Sequence, residues 1–187
     1  MRNIALIIKS IFAGFCIGMG AYLYLQVSGV IGAFLFSIGL LSILLLNYKL
    51  YTGFIGYIEK PRDLLTALKI LIGNIIGCCI IPFRHEKAIE LIMTKSATPL
   101  HIMFSKAVLC GILIYIAVEA WNSKREWITT LAVASFILCG AEHSIADVCY
   151  LVISNLQFTP RLLLMIIIIV IGNGVGSYFA RLAQNVK

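Results

Sequence analysis

Charge is scarce in this sequence. Of its 187 residues only 12% are Asp, Glu, Lys or Arg, about half the share found in soluble domains; 61% are hydrophobic and the mean hydropathy is +1.01. That balance excludes a water-soluble globule. Long polar runs are lacking too, which leaves no room for an appended soluble domain, and residues 1–187 read as a single transmembrane domain. Carboxylates are the rarest charged groups, eight against fifteen Lys and Arg, for a net +7. In a membrane chain such an excess orients loops and implies no nucleic-acid partner. The six cysteines (Cys16, Cys78, Cys79, Cys110, Cys139, Cys149) show no disulfide or metal-ligand spacing and read as small buried hydrophobes. No nucleophile, metal-ligand cluster or cofactor loop accompanies the few ionisable groups, so no enzyme, metal or cofactor is expected.

What is present is apolar length. A bilayer span takes about 20 mostly apolar residues, and six segments qualify, at about 4–25, 30–56, 63–82, 103–121, 127–154 and 160–183. The first follows Arg2 and Lys9 as a signal peptide would, but it lacks a small-residue cleavage site and runs long, so it reads as a first span. Residues 84–101 form the only long connection, and His85 and His101 within it read as solvated. With an even number of spans both termini share one side. Placing them in the cytoplasm puts Arg2, Lys9, Lys60, Arg62, Lys124, Arg125, Arg181 and Lys187 inside and Arg84, Lys87, Lys95 and Arg161 outside, the asymmetry expected of cytoplasmic loops.

Segments two and five are too polar in the middle to be plain spans. One carries Asn47-Tyr48-Lys49-Leu50-Tyr51-Thr52-Gly53, the other Cys139-Gly140-Ala141-Glu142-His143-Ser144-Ile145-Ala146-Asp147. Ionisable groups at membrane depth face a cavity or a partner, so both read as broken helices around a central site. Each is the middle segment of three in its half of the chain. The third segments share Ile72-Gly73-Asn74-Ile75-Ile76-Gly77 and Ile171-Gly172-Asn173-Gly174-Val175-Gly176, glycines four apart favouring close helix packing in membranes. The expected fold is an all-α membrane protein of six transmembrane helices in two inverted three-helix repeats, with helices two and five broken. His143, set between Glu142 and Ser144 in a helix break, is the prime functional candidate.

These residues resemble the formate/nitrite transporter family. Gly140-Ala141-Glu142-His143-Ser144-Ile145-Ala146-Asp147 is similar to its G-x-E-H-S-[IV]-A-N element, and Leu50-Tyr51-Thr52-Gly53 to its L-[FY]-T-[GS] loop. Phe36-Ser37-Ile38-Gly39-Leu40, both Ile-Gly-Asn elements and Ala107-Val108-Leu109-Cys110 follow in family order. The resemblance implies an aquaporin-like channel protomer in a homopentamer of the cytoplasmic (inner) membrane. Its partners would be the lipid bilayer, protons and small monovalent anions: formate, nitrite, hydrosulfide or a short carboxylate. It implies that His143 is the central pore histidine with Thr52 in hydrogen-bond reach, that Gly111 and Ile114 belong to the pore set, and that Phe36, Leu40, Leu50, Tyr51 and Phe136 form apolar constrictions. Lys95 would fall near the outer vestibule and Glu142 would be the acid beside the histidine; because a carboxylate close to the pore would repel anions, Glu142 is expected to turn away towards Lys95 or backbone amides.

Three positions depart from the family pattern: Gly111 and Asp147 stand where Asn is usual, and Lys49 replaces a common acidic residue. The N-terminal amphipathic helix of many members is missing or very short. Opposite charges in the two broken helices point to an ion pair between Lys49 and Asp147. A neutral-solute channel for ammonia, urea or a weak-acid gas is the alternative, favoured by the small Gly111 and the altered amides. A membrane enzyme with Glu142 and His143 as acid and base, and a non-transporting structural subunit, are weaker readings.

Overall fold

In a computed structural model that describes residues 2–186, the chain is all-helical. Met1, Lys187 and the side chain of Arg2, the last two counted above for orientation, lie outside the described residues. The helices run in the order α1 (Arg2–Val27), α2 (Gly29–Leu45), α3 (Tyr51–Phe54, continued by a 3-10 turn Ile55–Tyr57), α4 (Pro61–Cys79), α5 (Glu86–Ala97), α6 (Leu100–Asn122), α7 (Glu126–Leu138), α8 (Ser144–Ser154) and α9 (Pro160–Gln184). By length and composition α1, α6 and α9 each suffice to cross a membrane. The second and fifth apolar segments divide, into α2 with α3 and into α7 with α8.

Residues 84–101 are more than a connection. They hold α5, whose Ala88 and Ile92, one turn apart, are buried against α8. Its N-terminus is capped by His85, whose Nδ1 accepts the Lys87 amide at 3.2 Å, while His101 is exposed. Arg84 donates to Val152 O at 2.6 Å and Arg161 to Thr98 O at 2.7 Å, so both ends of α5 are tied to the body.

The two breaks are built alike. α2 ends with Asn47 at φ +52° and α7 with Gly140 at φ +66°, left-handed conformations that close a helix. After α2, the Asn47 amide donates to Leu44 O (3.2 Å) and the Tyr48 amide to Ile43 O (2.9 Å). After α7, the Gly140 amide donates to Ile137 O (3.2 Å) and the Ala141 amide to Phe136 O (3.0 Å). The next amides then leave their helices: Lys49 donates to Lys9 O on α1 at 3.3 Å, and Glu142 to Lys106 O on α6 at 3.4 Å.

Two helix pairs frame the breaks, α1 with α4 and α6 with α9. Their backbones touch at the shared motif: a Cβ on Gly77 would lie 2.0 Å from Ile11 O, and one on Gly176 2.0 Å from Val108 O. Large apolar side chains such as Leu68, Ile72 and Ile76 of α4 and Leu164, Ile167 and Ile171 of α9 point outward, a surface suited to lipid or partner helices.

Candidate functional site

Each break is held by one asparagine. The Asn74 side chain of α4 accepts the Tyr51 amide at 2.8 Å and donates to Ser10 O and Lys49 O, both at 2.8 Å. The Asn173 side chain of α9 accepts the Ser144 amide at 2.9 Å and donates to Ala107 O at 2.9 Å and Glu142 O at 2.8 Å. A chain leaving a helix exposes backbone groups that must find partners away from water. Both amides are fully buried and supply those partners across two helices at once.

The clamps bring His143 to Thr52. His143 is the N-cap of α8: its Nδ1 accepts the Ala146 amide at 3.0 Å. With Nδ1 an acceptor, the neutral ring carries its proton on Nε2, which lies 3.0 Å from Thr52 Oγ1. Nε2–H therefore donates to the threonine, whose own hydroxyl proton is left free. Both side chains are 1% exposed. Phe136 stacks on the imidazole with ring centroids 5.5 Å apart, and Phe36 meets Phe136 edge-on at 5.6 Å. Among the described residues no group of three or more His, Cys, Asp and Glu is placed to hold a metal.

Two cavities lie near this cluster, one of them reaching His143 and Phe136. The larger, about 370 Å³, is lined by Leu40, Leu50, Lys49, Asn47, Trp121 and Asn122 among others, and among the described residues Lys49 is its sole charged lining residue. The other, about 270 Å³, is lined by His143, Phe136, Lys95, Asp147, Tyr150 and Tyr24 among others. Buried Leu40 and Leu50 line the first cavity and buried Phe136 and His143 the second, with the Phe36–Phe136 and Thr52–His143 contacts beside them.

A family model described as formate/nitrite transporter matches residues 1–184. The chain belongs to the formate/nitrite transporter family. Among solved structures, one described as an FNT family ion channel is similar over 97% of this chain and 89% of its own, with a TM-score of 0.85 and 18% identity. Another, a pentameric formate channel with formate bound, is similar over 98% of this chain and 94% of its own, with a TM-score of 0.79 and 17% identity. No curated protein matches by sequence.

In this formate/nitrite transporter chain the polar groups around the histidine differ from the sequence expectation in two ways. The expected ion pair of Lys49 with Asp147 is not formed: Lys49 donates to Asn47 Oδ1 at 2.8 Å, and Lys95 of α5 takes the aspartate. Lys95 hydrogen-bonds Glu142 and sits 2.9 Å from Asp147 Oδ1, an ionic contact, with its side chain 12% exposed. Gly111, expected in the pore set, lies at the α6–α9 contact instead. A Cβ there would be 2.2 Å from Asn173 O, so the position is glycine because two backbones meet. Tyr51 donates its hydroxyl to Val170 O at 3.1 Å, and Ile114 is buried in the core.

Asn74 and Asn173 are what sequence reading passed over. The signal was the polar amide repeated inside both Ile-Gly-Asn elements of the formate/nitrite transporter pattern; only the glycines beside it were given a meaning.

Proposed function

We propose that this chain is a channel for small monovalent anions such as formate, nitrite, hydrosulfide or a short carboxylate, with linked proton movement. It would have six spans in two inverted three-helix repeats, both termini in the cytoplasm, and assemble as a homopentamer with one pore per protomer in the cytoplasmic membrane. The observation that carries this reading is the buried Thr52–His143 pair at 3.0 Å, set among Phe36, Leu40, Leu50 and Phe136 between two cavities.

An anion is drawn to the larger cavity by Lys49, where no carboxylate among the described residues lines the wall to oppose it. The apolar rings strip its water, which for an unpaired charge costs several kcal/mol or more. Three groups lower that barrier: the free Thr52 hydroxyl proton, the Nε2–H dipole that polarises it, and the positive N-terminal end of α8 behind His143. The imidazole serves as a neutral hydrogen-bond donor, and the solute crosses the apolar wall most easily as a weak acid. Glu142, tied to Lys95, does not line the cavity and so does not repel the anion there.

The neutral-solute alternative loses the support once given by Gly111, which serves helix packing. Stopped-flow uptake of formate, nitrite and hydrosulfide into liposomes at two pH values tests the choice. Native protein is expected to take up anions faster at the lower pH. His143→Asn keeps a side chain able to cap α8 but removes the imidazole, and its uptake is expected to fall to that of empty liposomes. Anion uptake absent from the native protein, or unchanged in the variant, refutes the reading.

A further inference from the structure

The charges around Asp147 do not balance. Asp147, on the first turn of α8, is fully buried and Glu142 is 1% exposed. Both turn to one ammonium, Lys95, which hydrogen-bonds Glu142 and lies 2.9 Å from Asp147 Oδ1. Two carboxylates and one ammonium leave one negative charge without a partner, in a place where buried charges require pairing.

Among the described residues no neighbouring group supplies the missing positive charge. His143, one turn before Asp147, uses Nδ1 as an acceptor and is neutral in that arrangement. Lys106 of α6 turns its ammonium towards Gly140 at the cavity rim and pairs with neither carboxyl. Cys110 of α6, Cys149 and Tyr150 of α8 and Tyr24 of α1, the other titratable groups facing this region, carry no positive charge. Apart from the Lys95 ammonium 2.9 Å from Oδ1, the Asp147 carboxyl has no hydrogen-bond partner among the described residues, and nor does the Tyr150 hydroxyl. Yet Asp147 and Tyr150 both line the 270 Å³ cavity that also reaches His143. Buried polar atoms without partners call for an explanation in a ligand, an ion or a role in the chemistry.

We propose that Asp147 holds a proton as the neutral acid, and that this proton is the one that neutralises a permeating anion at the His143 mouth. The second half rests on the anion-channel reading; the first half does not. An anion hydrogen-bonded to the acid takes its proton and moves on as the neutral weak acid, leaving the Asp147 carboxylate, which regains a proton from cavity water. Tyr150 is placed to orient the solute at this step, since its hydroxyl is uncommitted. The histidine then needs no charge of its own, in keeping with its place as the cap of α8.

The test is Asp147→Asn, which keeps the shape and an oxygen facing Lys95 but has no acid proton. Infrared spectra of the native protein, with aspartate carbon-13 labelled, are expected to show the carbonyl band of a protonated carboxylic acid at neutral pH, absent from the variant. In liposomes the variant is expected to take up formate about a hundredfold more slowly at neutral pH, the low end of what a positioned proton donor contributes. The difference is expected to close as the pH falls and formic acid forms in solution. A native spectrum without that band overturns the proposal, as does an Asp147→Asn channel with the native pH profile. Stabilisation of the native protein by ammonium but not by acid overturns it too, because a cation would then supply the missing charge. Should native protein take up no anion, the channel reading fails while the infrared band still decides whether Asp147 holds the proton.

Discussion

Asn173→Leu is expected to abolish recovery of folded protein. Leucine has nearly the shape of asparagine but none of its hydrogen bonds, so the Ser144 amide and Glu142 carbonyl lose their buried partners. Each orphaned buried group costs about 1–3 kcal/mol, and together they remove a large part of a stability of about 5–15 kcal/mol. The consequence reaches the site, because Glu142 and Ser144 flank His143: once the clamp opens, the imidazole no longer faces Thr52. Asn74→Leu, which frees Tyr51 and Lys49 in the same manner, is expected to match it. Size-exclusion profiles and thermal midpoints in detergent check this, and a Leu variant with the native profile would show that the amides are not what holds the breaks.

Gly111→Asn is the second large effect, and its direction runs against what family resemblance alone implies. Restoring the common asparagine is expected to destroy the protein rather than improve its pore. The new Cβ would meet Asn173 O at 2.2 Å and the Ser177 amide nitrogen at 2.9 Å, both backbone atoms that no rotamer change can move aside. α6 and α9 would have to part, and Asn173 would be carried off its clamp. Overpacking by a single group costs about 1–3 kcal/mol where side chains can yield; against backbone the loss is expected to be larger. Gly53→Ala is the control, since its Cβ would meet nothing nearer than Val118 at 3.5 Å. Equal thermal midpoints for the two variants would contradict this account.

Much of this arrangement was legible beforehand because bilayer physics is strict. A charge in an apolar run has few places to go, and so Glu142, His143 and Asp147 mark a break whatever the fold. The Thr52–His143 contact was reachable through the resemblance, and the turn of Glu142 towards Lys95 through the repulsion a carboxylate would exert on an anion. The clamp asparagines were not, because their partners are backbone groups far along the chain and a backbone amide leaves no trace in a residue name. The supposed Lys49–Asp147 pair failed for a related reason. Counting opposite charges gave two candidates in the broken helices. The competing ammonium sat on α5, a short helix hidden in what read as a polar connection, and its packing on α8 shows only in three dimensions. Gly111 misled in the opposite sense: an unusual residue near a site invited a solute-binding explanation, when the constraint was the distance between two helix backbones.

In the proposed channel, the stretch from Leu40 and Leu50 to Phe136 and His143 is also where the membrane potential would act. With water in both cavities, most of the voltage would fall across the side chains from Leu40 and Leu50 to Phe136 and His143. A unit charge crossing them feels about 2.3 kcal/mol per 100 mV, whereas a molecule that crosses as an uncharged acid feels none. The steepness with which flux follows an imposed voltage would thus tell whether the solute of the proposed channel passes Thr52 and Phe136 as an anion or as a neutral acid.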